Sequence, residues 1–336
     1  MKKLFISMLA VAALASCSQE DVIVADKGDL IGFNSFVENS TRAAAATDPS
    51  YKAATLDHFN VYGAVGGVNI YAGNLVTRGD EADLGDAWSM AADAPTQYWI
   101  AGASYKFAAV VDATSVTTDT TTGTGLPTVL SYTTANQTDM LYDYVETVGQ
   151  PANESGLVEF QFTHLLSKVK FSVTNTTDDD ATNYRIVVTE AKLLNVYPSG
   201  TYAVNGDTGT WTPDTASDYV LENNYEVNSG ATQYNSNEVL LIPGSAVGVY
   251  VAADIEATAD GGKNWTRVSD VEKTFTNVLG VTGETPNVLV ANNAYHFAVS
   301  LGIGTEIQFT ATTLPDWNED VNGDNKVDAN DNIKLQ

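Results

Sequence analysis

The sequence has very little cysteine, histidine and positive charge. Cys17 is the only cysteine among 336 residues, so no disulfide can form within the chain. Stability must therefore come from the burial of apolar side chains. The 16 Lys and Arg residues stand against 42 Asp and Glu residues, which gives a formal net charge of -26. Because such an acidic surface repels the phosphate backbone, we expect no nucleic acid among the partners.

Signatures of catalysis and of structural metal binding are also missing. His58, His164 and His296 are far apart in the sequence, and each lies in or beside a predicted strand. None has the spacing of a metal ligand pair, so a structural role is predicted for each. The sequence contains no nucleophile elbow, phosphate loop or zinc signature. Carboxylates are so abundant that no pair of them indicates acid–base catalysis, and we expect no enzyme.

The N-terminus has the pattern of an export signal. Lys2 and Lys3 precede an apolar run, residues 4–14, that is too short to span a bilayer. The run ends in Leu-Ala-Ser-Cys, which resembles a bacterial lipobox, where the cysteine becomes acylated. We therefore predict a signal peptide over residues 1–16, lipidation of Cys17 and a tether over residues 17–28. No later segment is long and apolar enough to cross a membrane, so attachment through lipid is expected.

The rest of the chain predicts an all-β fold. Short runs of Val, Ile, Thr, Tyr and Phe recur between clusters of Asn, Asp, Gly and Ser, which is typical of sandwiches and barrels. Within residues 157–175 the apolar alternation changes phase between Phe162 and Val169. A bulge or a crossing between sheets produces such a change, because a strand keeps one face at a period of two. We place a domain boundary here, which gives domains over residues 29–160 and 161–317.

A separate first strand is predicted within residues 29–42. Residues 30–37 alternate moderately, and Arg42 then precedes an alanine run that starts at Ala43. We expect this alanine run to lie in an exposed loop, where proteases cut most readily.

The acidic tail, residues 318–336, contains one candidate metal site. Oxygen ligands recur at the spacing of a calcium loop, with the carbonyl of Lys326 at the seventh position. The candidate ligands are Asp320, Asn322, Asp324, Lys326, Asp328 and Asp331. The spacing resembles one dockerin loop, but too few residues follow for an exit helix. A solvated acidic tail is the alternative, so calcium is a candidate cofactor and none is required.

Several motifs in order resemble the fimbrillin family, the FimA-type and Mfa-type pilins and related surface lipoproteins of Bacteroidota. After Cys17 these motifs are Ser18-Gln19-Glu20-Asp21, Ile31-Gly32-Phe33, Thr41-Arg42-Ala43, Phe59-Asn60-Val61-Tyr62, the segment 162–173, Asn292-Asn293-Ala294-Tyr295-His296-Phe297, Ile307-Gln308-Phe309 and Trp317.

The resemblance implies two tandem transthyretin-like β-sandwich domains and a pilus subunit or pilus-associated adhesin. It also implies export to the outer membrane as a lipoprotein, cleavage between Arg42 and Ala43 by a trypsin-like protease, and loss of the first strand. A strand from the next subunit, from the region of residues 306–317, then fills the groove. The expected partners are other pilus subunits, the outer membrane through the lipid, and a host or bacterial surface ligand.

A second function remains open from the sequence. A monomeric surface lipoprotein could bind glycans through exposed aromatic side chains, and the candidates are Trp88, Trp211 and Trp265. Ordinary core packing is the alternative for each tryptophan.

Overall fold

The computed structural model describes residues 28–37, 56–79, 88–153, 155–177, 183–235, 238–281, 287–303 and 307–314. Most of these residues lie in β-strands, and α1 (Val278–Val281) is the one helix among them. The predicted all-β fold is confirmed. None of the described helices is long and apolar enough to span a membrane.

The described strands, in chain order, are β1 (Phe33–Val37), β2 (His58–Val65), β3 (Val68–Arg78), β4 (Trp88–Met90), β5 (Ser104–Val111), β6 (Ser115–Thr118), β7 (Pro127–Thr133), β8 (Leu141–Val148), β9 (Val158–His164), β10 (Ser167–Asn175), β11 (Tyr184–Val196), β12 (Ser199–Asn205), β13 (Thr208–Pro213), β14 (Ser217–Val220), β15 (Tyr225–Asn228), β16 (Thr232–Tyr234), β17 (Val239–Leu241), β18 (Gly248–Ala257), β19 (Thr266–Phe275), β20 (Ala294–Leu301) and β21 (Gln308–Leu314).

These strands form four sheets. A seven-stranded sheet has the order β1-β9-β8-β5-β2-β3-β4, and a four-stranded sheet has the order β13-β12-β7-β6. Two five-stranded sheets follow, one built on β16-β10-β20-β21 with β17 beside β10, the other on β14-β11-β18-β19 with β15 beside β11. The four-stranded sheet joins strands from both sides of the predicted boundary at residue 160, because β7 pairs with β12. The domain division itself stays a prediction.

Apolar side chains of these sheets form three cores. The first lies inside the seven-stranded sheet, which is strongly rolled, because Phe33 of β1 contacts Tyr71 of β3 at a ring distance of 5.6 Å. The second fills the space between the outer face of this sheet and the four-stranded sheet, with Tyr142 and Tyr202 among its members. The third lies between the two five-stranded sheets, around Phe171 and Phe297. Together they supply the burial that a chain without disulfides requires.

The phase change between Phe162 and Val169 marks a crossing between sheets. β9 belongs to the seven-stranded sheet and ends at His164, and β10 begins at Ser167 in a five-stranded sheet. Phe162 therefore points into the first core, whereas Val169 points into the third. Of the two predicted explanations, the crossing is the one observed.

Some strand predictions were wrong in detail. The sequence Tyr-Trp-Ile at residues 98–100 predicts a strand, but the structure has a single bridge there, between Tyr98 and Leu30. The sequence also predicts two strands, at residues 183–189 and 191–197, where the structure has one, β11, with a register shift between Val188 and Glu190. The segment 114–125 is so rich in Thr, Ser, Gly and Asp that it predicts a surface loop, but it contains β6, which pairs with β7. Its threonines favour strands without contributing an apolar alternation, so the pattern did not reveal it.

Candidate functional site

The first strand lies in a groove between two backbone edges. On one side β1 pairs in parallel with β9, from Phe33 opposite Val158 to Val37 opposite Phe162. On the other side the segment leading into β1 is antiparallel to residues 97–99. We call this position, with its aromatic lining of Tyr71, Phe107 and Phe160, the first-strand groove.

Backbone hydrogen bonds fix the segment before β1 on both sides. The Ile31 amide donates to the Gln97 carbonyl at 3.0 Å, and the Trp99 amide donates to the Asp29 carbonyl at 3.0 Å. On the opposite side the Val158 amide donates to the Gly32 carbonyl at 2.9 Å. The segment therefore completes the hydrogen bonding of two edges that its removal would expose.

The closest backbone contact in the groove explains one glycine. A Cβ atom added to Gly28 would lie 2.2 Å from the carbonyl oxygen of Trp99. Since no side chain fits at that distance, only glycine allows the chain to enter the groove along this edge.

Alternate side chains of the first segment enter the groove. Ile31, Phe33 and Ser35 are buried. The ring of Phe33 lies edge-on to Tyr71 and Phe107 at 5.6 and 5.7 Å and is stacked on Phe160 at 5.8 Å. Phe33 is therefore the main apolar anchor of the strand, since aromatic pairs add to the energy of area burial.

Ser35 is the weak position of the first strand. Its hydroxyl is buried and has no hydrogen-bond partner in the described part of the chain. A buried polar group without a partner costs about 1–3 kcal/mol. The parallel pairing of β1 with β9 is also slightly less stable per residue than antiparallel pairing. Phe33 therefore binds the strand strongly in the groove, whereas the unpaired Ser35 hydroxyl and the parallel pairing weaken its binding.

Replacing Phe33 with alanine is expected to destabilise the uncleaved chain by about 3–5 kcal/mol, because a buried ring is lost and a cavity remains. Denaturant unfolding of the full chain measures the change. Leu30→Ala is the matched control on the same segment, because that side chain is 58% exposed. Equal losses in the two variants would show that β1 does not anchor through Phe33.

The predicted lipidation, cleavage and calcium residues lie outside the described residues. This applies to Cys17, to Arg42 and Ala43, and to the tail positions Asp320, Asn322, Asp324, Lys326, Asp328 and Asp331. In sequence, Arg42 follows shortly after Val37, the last residue of β1. Within the described ranges, no group of three or more His, Cys, Asp or Glu side chains is arranged to hold a metal ion.

Two of the histidines pair with carboxylates. His58 Nδ1 lies 2.5 Å from Asp57, and Nε2 lies 3.4 Å from Asp112. The hydrogen bond with Asp112, together with Asp57, raises the pKa of His58 to about 9. His164, at the crossing between sheets, lies 2.6 Å from Asp139 in a buried pair. Both histidines thus have the structural surroundings that the sequence predicts.

The third histidine lies on the outer face of a five-stranded sheet. His296 Nε2 lies 2.8 Å from the Ser172 hydroxyl, and its ring stacks on Tyr234 at 5.6 Å. Burial and the nearby charge of Lys170 lower its pKa to about 4. His296 is therefore neutral at pH 7.

Two of the three tryptophans named as glycan contacts are used in packing. Trp88 lies 5.0 Å from the ring of Phe59. Trp211 lies 5.5 Å from Tyr202, and its indole NH donates to the Leu165 carbonyl at 2.9 Å. The guanidinium of Arg185 covers Trp265 at 4.4 Å.

The sequence analysis did not detect that the segments of the first and last described strands share one pattern of inward-facing side chains. Ile307, Phe309 and Ala311 alternate toward the third core along the segment that forms β21, as Ile31, Phe33 and Ser35 do in the groove. Both segments read Ile-x-Phe-x-small in the same chain direction. β21 is an edge strand that pairs only with β20 among the described strands. A direct comparison of the two segments could have found this signal.

Rolled and stacked β-sheets with an edge-completing first strand define a protein of the β-sandwich class. The sequence matches the fimbrillin-like family over residues 41–317, and the chain belongs to this family. A comparison with curated proteins finds no match.

Solved structures share the fold at low sequence identity. A candidate cell adhesion protein from Bacteroides uniformis is 17% identical, with 86% of this chain and 98% of that chain covered and a TM-score of 0.51. A fimbrial protein from Bacteroides vulgatus is 15% identical, with 85% and 98% covered and a TM-score of 0.53. Family membership supports a fimbrial or adhesive role at the cell surface.

Proposed function

We propose that this chain is a fimbrial subunit or pilus-associated adhesin that is exported as a lipoprotein and assembles by strand exchange. Acylation of Cys17 attaches it to the outer membrane, and a trypsin-like protease then cuts between Arg42 and Ala43. The cut separates β1 from the rest of the chain. The observation that carries the proposal is the segment 29–37, in which β1 pairs with β9 and residues 29–31 bond to residues 97–99 beside an aromatic groove.

The strand that replaces β1 is proposed to be β21 of the next subunit. Its side chains Ile307, Phe309 and Ala311 match the inward series of the first segment in type and spacing. Ala311 takes the position of Ser35 and has no hydroxyl to leave unpaired, which favours the incoming strand. Strand addition provides backbone hydrogen bonds for affinity and side-chain pockets for specificity. Contacts of this head-to-tail kind do not close, so they build filaments.

The donor strand must leave its own sheet before it can be exchanged. β21 lies at the edge of that sheet, with Gln308 and Thr310 exposed. Within β21, Phe309 makes the aromatic contacts with the core: its ring centroid lies 5.1 Å from that of Phe275 and 5.9 Å from that of Phe297. The groove offers Phe309 three aromatic neighbours instead, so the exchange replaces the lost contacts.

Limited digestion tests the proposal directly. The purified full chain is treated with a trypsin-like protease, and the products are analysed by mass and by electron microscopy. We expect one stable fragment that begins at Ala43, followed by oligomers or filaments. A chain that is cut at Arg42 and stays monomeric under all conditions would contradict strand exchange.

The glycan-binding alternative has less structural support. Trp88 and Trp211 each pack against a neighbouring ring, and Trp211 also donates a hydrogen bond to the Leu165 carbonyl, so both contribute to packing. The guanidinium of Arg185 covers the ring of Trp265.

Calcium binding by the tail is a separate proposal. We expect the full chain to bind one calcium ion with a dissociation constant on the order of 10⁻⁴–10⁻³ M, as in extracellular modules. Isothermal titration of chelator-treated protein measures it, and the Asp320→Asn/Asp324→Asn variant should lose the signal. Asp178→Asn/Asp180→Asn removes the same charge outside the loop and should retain it. Equal binding by both variants would show only diffuse attraction to an acidic surface.

A further inference from the structure

Exposed apolar side chains gather at one end of the seven-stranded sheet. Of eight large apolar residues that are exposed in the described part of the chain, four lie at strand ends of this sheet. Leu30 and Ile100 are each 58% exposed, Val68 is 65% exposed and Val148 is 69% exposed. We call these four residues the apolar pole.

The strand register places the four residues at the same end. Val65 is paired with both Val68 and Tyr105, and Ser104 is paired with Val148. β1 and β9 are parallel, so β1 also begins at this end, where Leu30 bridges Tyr98. Neighbouring strands are about 4.8 Å apart, so the ends of β1, β9, β8, β5, β2 and β3 adjoin one another in this order.

The apolar pole carries few charges, although the chain has a net charge of -26. The segments at this end are residues 28–31, 66–69, 98–104 and 147–157, and their charged residues are Asp29 and Glu154. The loop 119–125, which contains Asp119, contacts Asn69 beside them. An apolar surface of several side chains with few charges, on an otherwise acidic protein, is typical of an interaction site.

The chain enters the described fold at this pole. Gly28 lies against Trp99 at the start of the segment that leads to Leu30. Cys17 precedes Gly28 by a segment that spans at most about 40 Å when fully extended. A lipid on Cys17 would thus hold the apolar pole within about 40 Å of the bilayer. Tethering of this kind raises the effective concentration enough for weak contacts to form.

We infer that the apolar pole rests on the bilayer in the uncleaved, lipid-anchored chain, with its aliphatic side chains in the lipid interface. The inference rests on the lipid attachment in the proposed function. Interfacial binding scales with the apolar area buried. Cleavage after Arg42 removes the tether and Leu30 together, so one cut weakens both forms of membrane contact.

A fluorescent label at the pole tests the inference. Acylated Cys17 has no free thiol, so Val148→Cys can be labelled selectively with an environment-sensitive dye in the full acylated chain. On vesicles of phosphatidylcholine and phosphatidylethanolamine, we expect a blue shift and higher intensity. The control is Val268→Cys, which is 55% exposed on β19 and should not respond. Equal responses of the two labels would overturn the inference.

Two further readouts separate the remaining outcomes. Adding Val68→Thr and Ile100→Thr to the labelled chain should reduce the shift. Adding Val220→Thr, an exposed position on β14 outside the apolar pole, should not. A concentration-dependent shift without vesicles would show that the pole binds a second copy instead, and would overturn the inference. Absence of acyl mass on Cys17 together with failure to float on vesicles would refute lipid attachment itself. Flotation without a shift at Val148→Cys would refute only the pole contact.

Discussion

Replacing Arg42 with glutamine is expected to leave the chain at its uncleaved length and to abolish filament assembly in cells. A trypsin-like protease requires a basic residue before the cut, and glutamine removes the charge while keeping most of the side-chain length. Without the cut, β1 stays covalently joined to its groove, where an intramolecular strand has a high effective concentration. An incoming strand then cannot compete for the same two edges.

The neighbouring basic residues provide matched controls for this variant. Lys27→Gln lies before β1, where a cut would release the lipid but leave the strand in place. Lys52→Gln lies beyond Arg42 in sequence. Both should assemble normally. Immunoblots for chain length and electron microscopy of the cell surface measure the outcome, and normal filaments from Arg42→Gln would refute cleavage at this residue as the activating step.

The proposed removal of β1 would leave one edge of the fold incomplete. The seven-stranded sheet is rolled, and residues 29–37 lie along one of its edges. β1 pairs with β9 on one side, and residues 29–31 just before it bond to residues 97–99 on the other. Without residues 29–37, both of these backbone segments lose their hydrogen-bond partners. The processed subunit is therefore expected to be unstable until another strand occupies the groove.

The strand content of the fold could be predicted from the sequence wherever apolar alternation is strong. The sequence predicts strands at residues 58–65, 105–111, 247–255 and 293–301, and β2, β5, β18 and β20 lie within two residues of these bounds. The phase change after Phe162 marks the crossing between sheets. The sheet that contains β6 was less visible, because threonine and serine strands carry no apolar alternation. Local periodicity predicts which residues face a core, and it predicts nothing for a strand that has no apolar face.

Long-range partners could not be predicted from local patterns. Lys168 forms a buried ion pair with Glu238 at 3.1 Å. The two residues are far apart in the chain, so no local pattern predicts that they meet. The pairing of β7 with β12 and the parallel placement of β1 beside β9 are likewise set by the way the whole chain folds. The family resemblance predicts that the first strand is removed. The structure shows the register of this strand, its buried anchor Phe33 and the unpaired hydroxyl of Ser35.

Cysteines at Thr310 and Glu159 are expected to link subunits covalently within filaments. If β21 takes the place of β1 in the same direction, Phe309 replaces Phe33, and Thr310 comes to lie opposite Glu159, where Asn34 lies in the uncleaved chain. Directly paired strand residues have Cα distances within the 4.4–6.8 Å range that a disulfide requires. Cleavage after Arg42 removes Cys17, so the two introduced cysteines are the only thiols in the processed subunit.

The register makes this test specific. In the unassembled chain Thr310 pairs with Ala298, and Glu159 lies in a different sheet, so the two positions do not meet within one subunit. Thr310→Cys combined with Glu159→Cys should give a ladder of dimers and higher species on non-reducing gels of filaments.

Thr310→Cys combined with Gln161→Cys is the control. It moves one partner two residues along β9, to a distance beyond disulfide reach, and should stay monomeric. A ladder from the second pair and none from the first would mean that the donor strand docks in another register. Absence of a ladder from either pair in intact filaments would exclude β21 as the donor in both of these parallel registers.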